Sequence, residues 1–208
     1  MSLLPDSNST PLLIRSRHFS AQSYGELIAS MAFRECDALD ALWVEHNPEG
    51  KSWQCRRAHR LFLGEFFSFY VCITERWILQ HQMDRREDFF NAILDEVREK
   101  RLQDSWRPTM TPECRARSDS SLAARHDRKV SFMRNNYTHL RNGPGGVDII
   151  AEIAALVLVK YFFAASGQTS ELEGILSLLI KQLRNTSLEL VATVPYAALR
   201  TGGGRRSD

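Results

Sequence analysis

The alternation of apolar and polar positions along the 208 residues is helical nearly throughout. From about Ser23 to His46, apolar side chains recur at Leu27, Met31, Leu39, Leu42 and Trp43, a spacing that keeps them on one side of a helix. Asn47-Pro48-Glu49-Gly50 stops that pattern. A run from about Ser52 to Met83 follows, dense in Phe and Tyr. Its core, "FFSFYVCI", has the composition of a strand, but the length of the run favours one long buried helix. Residues 86 to 105 predict an amphipathic helix with Phe89, Phe90, Ile93, Leu94, Val97 and Leu102 on its apolar side. Pro108 and Pro112 mark its end, and residues 107 to 121 read as an irregular connection.

Further helices are expected at 122 to 142, at about 148 to 166 with Asp148 as a cap, and from Thr169 or Ser170 to about Leu190. The expected fold class is all-α, a helical bundle of five to six helices spanning residues 21 to 190. A flexible arm (1–20) and a flexible tail (191–208, with Pro195 and "TGGGRRSD") are expected to flank it. There is no internal repeat.

Hydrophobic residues make up 43% of the chain, enough for one compact core. The net charge of +2 demands no polyanionic partner. Cys36, Cys55, Cys72 and Cys114 form no CxxC pair, and the first three lie in apolar or amphipathic stretches. Reduced, largely buried thiols and a cytoplasmic location are the expectation. The most apolar run, "VDIIAEIAALVLVKYFFAAS", is broken by Glu152 and Lys160 and reads as a buried helix, not a membrane span.

Most catalytic motifs are missing. There is no GxSxG, no phosphate loop and no dinucleotide fingerprint, and no cysteine sits in a recognisable electropositive setting near a histidine. Helix bundles hold metal pairs through Glu-x-x-His motifs, and this chain has none. His59, Glu65, Glu75 and His81 share the aromatic helix, but residues of this kind are more often surface charges or satisfied core histidines. Neither a metal nor a cofactor is expected.

One stretch remains, "SFMRNNYTHLRNGPGG" at 131 to 146. On a helix Asn135, His139 and Asn142 share a face, and Arg134 reaches it through its long side chain or meets it from a second chain. A histidine moves protons near neutral pH, and an arginine stabilises charge on a phosphorus centre. Residues 115 to 141 hold seven Lys or Arg against two acids, a surface that attracts a phosphate backbone. The plainer reading is a solvated helix end, where Arg141 and His139 match the helix dipole.

"RNNYTH" resembles the Arg-x4-6-His signature of the HEPN superfamily, including the polar residue after the arginine. The likeness covers the motif and its helical context, about residues 55 to 190. It implies a small helical bundle that cleaves RNA without metal through attack by the 2′-hydroxyl, commonly as a homodimer and as a toxin or defence effector. Carried over by position, it implies that Arg134, Asn135 and His139 are catalytic. Arg128, Lys129, Tyr137 and Arg141 are candidate RNA contacts. RNA, a second copy of the chain and a neutralising protein are the implied partners. The alternative is a non-catalytic helical module that binds nucleic acid, nucleotide or protein. A second Arg-x4-His pair, Arg76 and His81 in "RWILQH", carries Trp77 after its arginine and lies in a core-like segment, so it reads as structural.

Overall fold

The computed structural model describes residues 21–80, 86–102, 146–166 and 172–193, together with Ser120, Ser121, Ala124, Asp127, Arg128, Ser131 and Phe132. Five long helices carry the fold: α1 (Ala21–His46), α2 (Ser52–Gln80), α3 (Arg86–Leu102), α4 (Gly146–Ser166) and α5 (Leu172–Thr193). Among the described residues there is no strand. The expected all-α bundle is therefore present. The expected arm at 1–20 lies outside the described residues, as do residues 194–208 of the expected tail.

The α1–α2 hairpin is closed by local chemistry. Asn47 ends α1, its Nδ2 donating to the Trp43 carbonyl at 2.9 Å. The Lys51 amide donates back to Gln54 Oε1 at 2.8 Å, so a side chain three residues into α2 satisfies a backbone donor at its start. The short connection makes the two helices antiparallel neighbours. Ring pairs record the register: Phe33 meets Phe67 edge-on at 5.6 Å, and Tyr24 stacks on Trp77 at 6.5 Å.

α2 is the axis of the bundle. Every residue from Phe62 to Ile78 is buried, which is why it carries no clean apolar stripe. "FFSFYVCI" is helical, and the hydroxyls of Ser68 within it and of Thr74 just after it are absorbed within the helix. Ser68 Oγ donates to the Gly64 carbonyl and Thr74 Oγ1 to that of Tyr70. α1 packs chiefly on α2 and α3, and α4 on α2 and α5. Gly25 permits the close approach of α1 to α3, because a Cβ there would stand 2.6 Å from Glu96 Cβ. On α3, Phe90, Ile93 and Val97 are buried as expected, with Leu94 partly so. Phe89 and Leu102 lie outside the described side chains.

α4 buries Ile150, Ala151, Ala154, Ala155, Leu158, Val159 and Phe162, while Glu152 and Lys160 face outward. Among the described residues no helix is long and apolar enough to cross a membrane. Phe162 locks α4 to the hairpin: its ring stacks on Phe62, and its carbonyl accepts from Trp43 Nε1 at 3.2 Å. α5 is held by Tyr70, which donates to Thr186 Oγ1 at 3.0 Å, and by Glu35, which accepts from Gln182 and pairs with Arg34.

Candidate functional site

Of the seven residues assigned to the RNA site, the structure describes one. Arg128 is exposed on a helical stretch, its Nε donating to the Ala124 carbonyl four residues back at 3.1 Å. Asp127 beside it pairs with Arg98 of α3 at 3.4 Å. Phe132 follows on the same stretch with 61% of its surface exposed. Lys129, Arg134, Asn135, Tyr137, His139 and Arg141 lie outside the described residues. The competing Arg76 is buried in α2 next to buried Trp77, in keeping with a structural role. Burial lowers the pKa of its guanidinium below the ordinary value.

His59 is a satisfied core histidine, as residues of its kind more often are. It does not converge with Glu65 and Glu75, which are ten residues apart on α2, about 15 Å along the axis. It turns instead to α1. His59 Nδ1 donates to Asp40 Oδ2 at 2.5 Å. Cys36 Sγ lies 3.5 Å from the same nitrogen and 3.8 Å from the same carboxylate oxygen. A cysteine does therefore stand beside a histidine, but with a carboxylate at the same point and not in an electropositive setting. His59 is 1% exposed and Cys36 is fully enclosed, while the Asp40 side chain keeps 20% of its surface in solvent.

Helix geometry explains the meeting. Cys36 and Asp40 are four apart on α1, so they lie one above the other. Asp40 and His59 stand at nearly equal distances from the Asn47–Lys51 turn, so the antiparallel hairpin brings them face to face. That symmetry was the available signal. It could be used only once 47–50 was read as a tight hairpin turn, and the pattern of apolar residues alone does not show which faces oppose.

The environment limits what this trio does. Burial pushes the Cys36 thiol up to about 12, and the hydrogen bond with His59 offsets only part of that. Burial also raises Asp40, again opposed by the bond from His59. Cys36 is thus a thiol at neutral pH, unlike the low-pKa thiolates of catalytic cysteines. Without a further cation the trio is a hydrogen-bonded polar knot in the core.

No protein-family model, curated protein or solved structure matches the chain.

The surface of α4 and α5 holds two further concavities. One, of about 460 Å³, is lined by Glu152, Glu173, Lys181 and Arg184 among others. The second, of about 250 Å³, lies between Arg76, Trp77, Asp148, Arg184 and Leu188. Arg184 bridges Asp148 at 3.0 Å and Glu152 at 2.7 Å, so acids of the same surface already neutralise this cation.

Proposed function

We propose that the chain is an HEPN-like endoribonuclease that acts without metal, with Arg134, Asn135 and His139 as its catalytic set. The observation that carries this reading is the Arg134-Asn135-x3-His139 motif inside a stretch with seven cations and two acids. The all-α bundle and the exposed Arg128 support it. His139 takes the proton from a 2′-hydroxyl as the freed oxygen attacks the adjacent phosphorus. The bond to the 5′-oxygen breaks, that oxygen is protonated, and the products carry a cyclic phosphate and a 5′-hydroxyl. Arg134 stabilises the added charge on phosphorus, and Asn135 orients the histidine. Two copies of the chain form one cleft, with Arg128, Lys129, Tyr137 and Arg141 along the RNA. A toxin or defence role, with a neutralising protein partner, goes with this reading.

The second reading, a non-catalytic binding module, is favoured by Phe132, a large exposed ring on the basic stretch that suits a macromolecular contact. Purified protein incubated with mixed RNA in EDTA separates the two. Cyclic-phosphate ends that disappear in His139→Ala support the nuclease. Intact RNA with both proteins sinks it in favour of the binding module.

A further inference from the structure

The three side chains between α1 and α2 are arranged as ligands. A linear polar chain, donor to acceptor to donor, would leave its ends far apart. Here the sulfur, the nitrogen and the carboxylate oxygen are mutual neighbours, at 3.5, 2.5 and 3.8 Å. A point about 2 Å from all three atoms exists, which is the length of zinc–nitrogen and zinc–oxygen bonds and slightly short of zinc–sulfur. In a tetrahedral zinc site, donors of these types stand about 3.4 to 3.6 Å apart. Of the two separations that involve sulfur, the one to nitrogen falls in that range and the one to oxygen exceeds it by about 0.2 Å. The third is a hydrogen bond, and it opens when its proton leaves.

We propose that Cys36, Asp40 and His59 form a binding site for one borderline-soft divalent cation of the zinc class. The donor set selects the metal. A thiolate and an imidazole favour zinc over the hard cations magnesium and calcium, which take oxygen ligands. The carboxylate makes the set harder than the all-sulfur sites preferred by copper(I). Binding displaces the protons on Sγ and on His59 Nδ1, the ring keeping a proton on Nε2, and the thiolate and the Asp40 carboxylate together neutralise the dication. Three protein ligands leave the fourth position to water, and the part-exposed Asp40 marks the side from which solvent reaches the site. The ion clamps α1 to α2 through Asp40 and His59, seven and eight residues from the Asn47–Lys51 turn. This site shares no residue with the proposed RNA cleft, and the failure of either leaves the other standing.

The test uses the full chain, stripped with EDTA and titrated with cobalt(II) and zinc(II). The expected result is one cobalt per chain with a thiolate-to-cobalt charge-transfer band. That band is absent from Cys36→Ser, and affinity falls at least about tenfold in Asp40→Asn, both variants being checked for helicity. Zinc-loaded wild type is expected to show one sulfur at about 2.3 Å and nitrogen or oxygen at about 2.0 Å by X-ray absorption, a measurement that needs no variant. No stoichiometric binding by folded wild type overturns the proposal. So does a band that survives in Cys36→Ser, or a zinc shell without sulfur.

Discussion

Two polar constellations in this chain differ in how they come about. The motif around His139 is contiguous: six residues in a row hold the arginine, the asparagine and the histidine. The trio around His59 is assembled: Cys36 and Asp40 come from one helix and His59 from the next. The first sits in a basic stretch whose described part is exposed, whereas the second is enclosed by core. A contiguous motif advertises itself through local composition. An assembled one consists of residues that each look ordinary, and only the meeting of two helix faces gives them a shared chemistry.

Four measurements press on that contrast. The largest expected effect is at the contiguous motif, where loss of the proton-transfer group in His139→Ala lowers RNA cleavage by about 10²- to 10⁴-fold. Thermal unfolding is expected to be unchanged by it; a large loss of stability would move His139 into the core class with His59.

The next tests exposure itself. Phe62 is fully buried and stacks on Phe162, so Phe62→Ala is expected to cost about 3–5 kcal/mol in chemical denaturation. Phe132→Ala, at an exposed position, is expected to stay within about 0.5 kcal/mol. Equal costs would erase the distinction drawn between the two regions.

The third isolates the buried thiol by its pH dependence, measured in EDTA. Cys36 is pushed up to about 12 from an ordinary 9.0, so the folded state keeps the proton that the unfolded chain releases. The stabilisation is complete below pH 9 and is lost as pH rises from there toward 12. Wild type is therefore expected to lose about 1 kcal/mol more than Cys36→Ala between pH 9 and 10. Tyr24 and Tyr70, also raised by burial, add to the loss at higher pH in both proteins and cancel in the difference. Identical slopes for the two proteins would mean that the thiol is not enclosed as described.

The smallest effect belongs to Arg128. With Arg128 as the proposed phosphate contact, its replacement by alanine is expected to weaken RNA binding by a few-fold and to lower the salt slope by about one. An effect confined to particular RNA sequences would assign it to base recognition instead.

Much of the fold was legible because helical periodicity is a local property. The four clearest patterns, ending near His46, Met83, Ser105 and Ser166, correspond to helices within a few residues at each end. The long aromatic run was legible only in part. A helix buried on every side has no polar face to set its period, so length had to decide between helix and strand. The candidate sites divide in the same way. Arg134, Asn135 and His139 are visible as a motif because they are neighbours in the chain. His59 was legible as a satisfied core histidine, but the residue that satisfies it, Asp40 across the turn, was not. Cys36 was read correctly as buried, and its closeness to an imidazole was missed.

The sequence by itself determined that the fold class is all-α, where the described helices run and turn, and which contiguous stretch carries the arginine, the asparagine and the histidine. These follow from interactions that reach no further than a few residues, namely caps, turns and the 3.6-residue repeat. Only the tertiary structure decided which faces oppose. It set Asp40 against His59, brought the Cys36 sulfur to the same point, and surrounded all three with core. That meeting depends on the rotation and register of two helices about their axes, which the whole bundle sets through the packing of side chains such as Phe33, Phe67, Trp43 and Phe162.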